Sequence, residues 1–583
     1  MDVENDTRHY ISLIILYALL AFSFLSPLAS NIALPPVTDF YLNTSNVMQS
    51  AMALKAGQFP IRTAPGEYNG YGYPKFQFYS PFFYTAAGYI LNLLTPNNPF
   101  LAIKITIWLG LVFAGIYTYR LTKQITQDNI AAILAGAAYI SSPYLLINII
   151  ARGAIAEAIG QCIIPIVLFY TFLPYIKDKT SFNNTLINGL MWAVLAMVHL
   201  ITFVNTSIMV ALLVFFTKKE EHIKKLFFTS LAFIFGFTLA SWHLMPIIIY
   251  QSLLNISNTL INPTTYNHLT LFSRLIAIIS TAVISSGGYS RSGFDTILSP
   301  PFYPGIGLSI LLGVGLCSYL VWINPKKIKV MNENLIRLLL GMFFLAFFLT
   351  WTPFDFWKYL PKILVIEQFS YRFLTQVVWI GILLFGIAIS ILTNKKHPLQ
   401  TFILGLILIC FSSSSWLKAE YGYAVPLAFV SKNTAEINIP GISDAYLIKP
   451  TPQIMRQIST DPLVMDHVAL GAYCKNLTNK LSCHFITTTK GLFEFPILYY
   501  PNLISIKVDD REYSYAPIKY KNYYLTALKL DIGEHNIIIK FTGLLWANWL
   551  SLIAWSILIG MGILNLIKIL LNLKSYIREP DLV

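Results

Sequence analysis

Long apolar runs broken by short polar loops fill most of the chain, near residues 10–30, 100–119, 129–150, 159–176, 183–200, 201–217, 226–250, 303–323, 335–352, 370–392, 399–416 and 546–572. A helix rises 1.5 Å per residue, so roughly 20 apolar residues cross about 30 Å of hydrocarbon. The pattern predicts twelve membrane-spanning helices. One further apolar segment, Pro81 to Leu94, reaches only about 21 Å as a helix. The first run, Tyr10 to Ser30, is about twice the length of a signal-peptide core, lacks a small-x-small cleavage pattern, and reads as an uncleaved first helix.

Basic residues decide the status of the short segment, because cytoplasmic loops are rich in Lys and Arg. If Pro81 to Leu94 dips into the outer face without crossing, Arg120 and Lys123, Lys177 and Lys179, Lys218 to Lys225, Lys326 to Lys329, and Lys395 and Lys396 all fall inside. Counting it as a crossing reverses every one of them. It therefore reads as a juxtamembrane or re-entrant helix, with both termini cytoplasmic. Three regions then lie outside: 31–80, 251–301 and 416–543. The first carries Val47, Met48, Ala51, Met52 and Leu54 behind the caps Thr44 and Ser45, which suits a helix lying on the membrane from Thr44 to Ala56.

Near the C-terminus the period changes to alternation, in Ile504–Val508, Tyr524–Leu530 and Asn536–Phe541, with turn signals at Asp509-Asp510 and Gly533-Glu534. This predicts a small extracytoplasmic β-sandwich. The expected layout is a membrane domain over 1–416 with outer loop 31–80 and re-entrant helix 81–94, a β-rich domain over 417–543, and a final transmembrane helix with a cytoplasmic tail over 544–583.

Composition agrees with a polytopic α-helical membrane protein: 56% of the residues are hydrophobic and 12% charged, against about 25% charged in a soluble domain. The net charge of +14 sits in short loops between apolar runs, so topology accounts for it and no nucleic-acid partner is expected. Cys162, Cys317 and Cys410 lie within apolar runs. Cys474 and Cys483 flank a polar segment outside, where they can close a hairpin by a disulfide or remain as two thiols.

The predicted spans hold almost no ionisable residue near their midpoints, which argues against an ion-coupled transporter. Polar residues gather instead at outer helix ends: Asp39, Arg152, Glu157, His199, His243, Asp355, Lys358, Glu367 and Arg372. Asp39, close behind the first helix, can take a proton from an acceptor hydroxyl or hold a divalent cation; equally, it can cap the next helix. Arg152 can bind a lipid phosphate or snorkel. Five residues apart, Arg152 and Glu157 do not share a helix face, so separate partners are more natural than a local ion pair. Lys358, Lys362 and Arg372 surround an outer helix entrance and suit an anionic headgroup. His199 and His243 read more simply as structural than catalytic. Tyr68, Tyr71, Tyr73, Phe76, Phe78 and Tyr79 suit sugar stacking, or an interfacial aromatic belt.

Several segments resemble bacterial membrane proteins labelled "6-pyruvoyl-tetrahydropterin synthase-related": the Asp39 loop, LKAGQFP (Leu54–Pro60), GYGYPKFQFYSPFFY (Gly70–Tyr84), RGAIAEAIG (Arg152–Gly160) and LPKILVIEQFSYRFL (Leu360–Leu374). Nothing resembles a soluble zinc-binding pterin enzyme. The layout is similar to GT-C glycosyltransferases, and the C-terminal stretches Tyr499–Pro517 and Asp531–Gly543 resemble the outer β-domain of proteins that glycosylate cell-envelope polymers. Where that family usually has Pro before an aromatic and Arg, this chain has Ser370 before Tyr371 and Arg372.

The resemblance implies a polyprenyl-phosphate sugar donor, a glycan or lipid acceptor outside the bacterial cytoplasmic membrane, and Asp39 as base or ligand of a divalent ion such as Mg or Mn. It implies Arg152 and Arg372 as phosphate-binding residues, with Glu157 beside them. Two other readings stand against a glycosyltransferase: a non-catalytic lipid or glycolipid translocator using the same arginines, and a membrane acyltransferase, which would need a deeper His.

Overall fold

The structure, a computed structural model, describes residues 2–30, 33–34, 38–177, 180–217, 222–256, 275–276, 305–323, 333–354, 356, 359, 369–393, 398–417, 425–426, 445–450, 466–467, 474–477, 480–520 and 523–578. The apolar runs fold as helices. In chain order these are α1 (Asp2–Phe24), α2 (Thr38–Lys55), α3 (Pro81–Leu93), α4 (Pro99–Thr126), α5 (Asn129–Ile140), α6 (Ile155–Lys177), α7 (Phe182–Val198) and α8 (Leu200–Phe216). There follow α9 (His222–Leu239), α10 (Ser241–Tyr250), α11 (Leu308–Trp322), α12 (Glu333–Trp351), α13 (Leu374–Leu392), α14 (Pro398–Leu417) and α15 (Leu545–Arg578). Among the described residues seven helical stretches are long and apolar enough to cross a membrane, and five shorter apolar helices accompany them. Each of the predicted apolar runs carries one of these.

Local chemistry starts and joins these helices. The side chain of Asn98 accepts the Leu101 N–H at 2.9 Å, and Asp128 accepts from Ile130 and Ala131, capping α4 and α5. Gly189 on α7 meets Gly236 on α9 so closely that a Cβ on Gly236 would sit 2.5 Å from the Gly189 oxygen. Close backbone approach of this kind lets van der Waals contact hold helices together where lipid removes the hydrophobic drive.

α2 departs from expectation. It begins at Thr38, not Thr44, and is an internal helix, not one lying on a surface: Asn43, Thr44, Ser45, Asn46, Gln49 and Ser50 are all buried. The cause is α3, which lies against it. Ser50 donates to the Tyr84 carbonyl at 2.6 Å, and a Cβ on Gly88 would come within 2.5 Å of Ser50 Oγ. The polar face that reads as solvent-facing is covered by protein with matching hydrogen bonds.

The C-terminal region forms two sheets. Strands β1 (Ala33–Leu34) and β2 (Val425–Pro426) first pair by themselves, joining the segment after α1 to the one after α14. One sheet then runs β3 (Asp466–His467), β6 (Gly491–Leu498), β10 (Tyr523–Leu530), β9 (Ala516–Tyr520). The other runs β4 (Cys474–Leu477), β5 (Lys480–Thr487), β11 (Gly533–Phe541), β7 (Ile504–Val508), β8 (Arg511–Glu512). The expected turn at Asp509-Asp510 is present with φ of 50° and 62°, whereas Gly533 and Glu534 open β11. β6 is buried along its whole length. Its end packs on the loop between α2 and α3, where Leu498 N–H donates to the Tyr71 oxygen at 2.8 Å and Tyr68 meets Tyr523 edge to face.

α15 also returns to that loop. Arg62 donates to Gln77 and, at 2.8 Å, to Asn548 Oδ1, while its guanidinium lies 4.9 Å from the Trp242 ring centre.

Candidate active site

Between α5 and α6 the chain turns through Pro143–Leu146 and a π-helical turn, Ile147–Ala151, and then breaks at Gly153 with φ +67°. The break brings Arg152 back over the start of α6. Contrary to the spacing argument, Arg152 and Glu157 do form an ion pair, Nη1 to Oε2 at 2.9 Å. A continuous helix would set them on different faces; here the helix is interrupted between them. Both are almost fully buried, at 3% and 2% exposure.

Glu157 is shared. Its Oε2 also faces Arg372 Nε at 3.6 Å, and its Oε1 accepts from Tyr144 at 2.7 Å and Asn148 at 3.3 Å. Arg152 Nη1 additionally donates to Asn148. Arg372 stands in a short 3-10 turn, Ser370–Phe373, that leads into α13. The two guanidiniums lie over a stacked aromatic pair: Phe369 and Tyr371 are 5.0 Å apart and 12° from parallel, with Arg152 over Tyr371 at 5.2 Å and Arg372 over Phe369 at 5.5 Å.

Asp39 joins this cluster from α2. It sits in the first turn, where the helix dipole favours a negative charge, and the residue is partly exposed. Desolvation of the carboxylate by the surrounding protein raises its pKa from the usual value; Arg152 and Arg372 oppose that shift and Glu157 adds to it. Tyr79, just before α3, faces the same charges: burial and then Asp39 push its hydroxyl up to about 12.

Asp39, Arg152, Glu157 and Arg372 are thus brought together from three separated parts of the chain. Lys358 lies outside the described residues, as do Asp355, Lys362 and Glu367. Tyr144 and Asn148 were not apparent in the sequence, yet their signal is there: 144, 148 and 152 recur every four residues inside an apolar run. A buried Lys75–Glu67 pair, in the loop before α3, was likewise missed.

His199 caps α8, with Nδ1 2.8 Å from Thr202 Oγ1, and His243 Nδ1 lies 2.9 Å from the Gln77 oxygen. Both have structural partners. Tyr68, Tyr73, Phe76 and Phe78 are buried, packed within the loop and against Tyr446 and Tyr523. Cys483 is disulfide-bonded, and the register sets Cys474 opposite it across β4 and β5.

Among the described residues no three His, Cys, Asp or Glu side chains gather to hold a metal ion. Both Glu157 oxygens are engaged, so Asp39 is the carboxylate left at this cluster, a set too small to fit Mg or Mn by itself.

Among curated proteins, none matches the sequence. Solved structures similar to it include the arabinofuranosyltransferase AftD from Mycobacteria, at 14% identity and TM-score 0.44, covering 72% of this chain and 28% of that one. The Archaeoglobus fulgidus oligosaccharyltransferase in its apo form matches at 13% identity and TM-score 0.45, covering 78% and 62%; it also matches in a complex with Zn and sulfate. ArnT from Cupriavidus metallidurans matches at 12% identity and TM-score 0.37, covering 80% and 83%. The chain spans less than two thirds of the length of the first two, and these scores are too low to establish a shared fold. Residues 76–284, which include Arg152 and Glu157, match the family model of the 6-pyruvoyl-tetrahydropterin synthase related domain, described as a membrane protein.

Proposed function

We propose that this membrane protein is a glycosyltransferase of GT-C type, moving a sugar from a polyprenyl-phosphate donor to a cell-envelope acceptor at the outer face of the bacterial cytoplasmic membrane. The observation that carries this reading is the meeting of the carboxylate of one partly exposed residue, Asp39, with two guanidiniums, Arg152 and Arg372, that share a buried Glu157.

In this reading Asp39 takes the proton from an acceptor hydroxyl. The hydroxyl oxygen forms the new bond to the anomeric carbon, the bond from that carbon to the phosphate oxygen breaks, and the phosphate leaves with the electron pair. Arg152 and Arg372 stabilise the charge that develops on the leaving phosphate. Their geometry is set in advance by Glu157, Tyr144 and Asn148, so little reorganisation is needed when that charge appears. A raised pKa makes Asp39 a stronger base than a free aspartate. No step is routed through a metal ion.

The two sheets over 466–541 belong, in the same reading, to an extracytoplasmic domain beside the first outer loop, with both chain termini cytoplasmic and a Cys474–Cys483 bridge formed in an oxidising compartment.

The test is transfer or release of sugar from a panel of radiolabelled polyprenyl-phosphate sugars by the purified protein in lipid, native against Asp39→Asn. Loss of transfer with donor binding kept supports the proposal. Binding by both forms without cleavage, across donors and with divalent metal supplied, favours the non-catalytic lipid or glycolipid translocator.

A further inference from the structure

We propose that Asn43 and Tyr84 are positioning residues that fix the spacing between Asp39 and the Arg152 turn; the inference rests on the glycosyltransferase reading for its catalytic consequence. Asn43 Nδ2 donates to two backbone oxygens at once, that of Asp39 at 2.6 Å and that of Gly153 at 2.9 Å. One amide therefore clasps the residue that bears the base to the residue following Arg152. Asn43 is buried, so the clasp works where water does not compete for it.

The direction of this amide is set by a chain of buried groups. Asn43 Oδ1 accepts from Tyr84 Oη at 2.8 Å; that oxygen accepts from Asn46 Nδ2 at 3.0 Å; Asn46 Oδ1 accepts from Lys75 Nζ at 2.8 Å. Lys75 is itself paired with Glu67. An ammonium only donates. Every bond downstream is therefore polarised one way, from Lys75 through Asn46 and Tyr84 to Asn43, whose N–H groups are left pointing at the two carbonyls. The buried polar face of α2, unexplained by a helix resting on a membrane, acquires a purpose: it orders one amide beside the active carboxylate.

The catalytic consequence follows from how steeply rate depends on alignment. A displacement on the order of 1 Å lowers a rate by about 100-fold. Tyr84→Phe removes the group that orients Asn43 and changes one oxygen atom. Asn43→Asp replaces the donor with an acceptor facing two carbonyls.

Two measurements on the full chain in lipid nanodiscs test this. The first is kcat and KM for the polyprenyl-phosphate sugar donor: kcat falls about 10- to 100-fold in both variants, by a larger factor than the donor KM rises, since the clasp sets the spacing between the base and the phosphate-binding turn. The second is hydrogen–deuterium exchange over residues 38–44 and 150–156, which rises in both segments together. A kcat held at the native value in Tyr84→Phe overturns the proposal, as does faster exchange confined to 38–44. If native protein transfers no sugar while exchange still rises in both segments, the glycosyltransferase reading falls and the clasp stands. Should Asn43→Asp fail to fold, Tyr84→Phe alone decides.

Discussion

Gly153 lies so close to Phe40 that a Cβ at position 153 would meet the Phe40 ring at 2.9 Å and the Phe40 nitrogen at 3.0 Å. Phe40 follows Asp39, and Gly153 follows Arg152. Two backbone segments from opposite ends of the site thus touch with nothing between them. Gly153→Ala adds a methyl into this contact at a φ of +67° that disfavours a side chain. The expected cost is about 1–3 kcal/mol, seen as a lower unfolding temperature in lipid, with a fall in transfer larger than the stability loss alone produces.

As the proposed base, Asp39 should set the acid limb of activity. Burial raises its pKa, so the active ionised form is lost at a higher pH than the usual value of about 3.9 for free aspartate. A profile of kcat/KM against pH should fall on the acid side at this raised value, and replacement by Asn should lower transfer by about 100- to 10,000-fold. Stability runs the other way. Ionising Asp39 costs more in the folded protein than in the unfolded chain, so its contribution favours the fold at low pH and is lost as pH climbs from the unfolded value through the raised one. An acid limb at or below the ordinary aspartate value contradicts this assignment.

Glu157 is the counter-charge for both arginines. Glu157→Gln keeps the shape and leaves two guanidiniums facing each other with their common carboxylate gone, which costs about 3 kcal/mol or more. Added polyprenyl phosphate should restore more stability to this variant than to the native protein, because the phosphate supplies the missing negative charge. Equal shifts in the two proteins would show that the lipid phosphate binds elsewhere.

The bond at Cys483 spans a short loop if Cys474 is its partner, and closing such a loop contributes about 2–3 kcal/mol. Reduction should lower the unfolding midpoint of the sheet region, and maleimide should label residues 474 and 483 only after reduction. Labelling of either before reduction removes the bridge.

Much of the helical layout was legible because membrane helices are long and continuous in their apolarity, and the strands at 504–508, 524–530 and 536–541 because alternation is plain there. The site was legible in its charges and not in its contacts. Arg152 and Glu157 stand five apart, a spacing that argues against a pair until the turn at Gly153 is known. α2 departs from its sequence pattern for a related reason: a polar helix face signals water unless a partner such as Tyr84 covers it. Tyr144 and Asn148 lie within an apolar run, where their common face shows only after Arg152 is seen as their continuation.

Arg62 reaches Asn548, a residue 486 positions later in the chain, through a single guanidinium hydrogen bond. Ser241 and Ser551 add bonds between α15 and the helices before it, to Ala547 and Leu239. The loop that leads to the site is therefore fastened by residues that leave the ribosome long after its charged groups do. A nascent chain inserted up to α14 holds Asp39, Arg152, Glu157 and Arg372 and still lacks this fastening, so a molecule cut short before α15 is released unlatched.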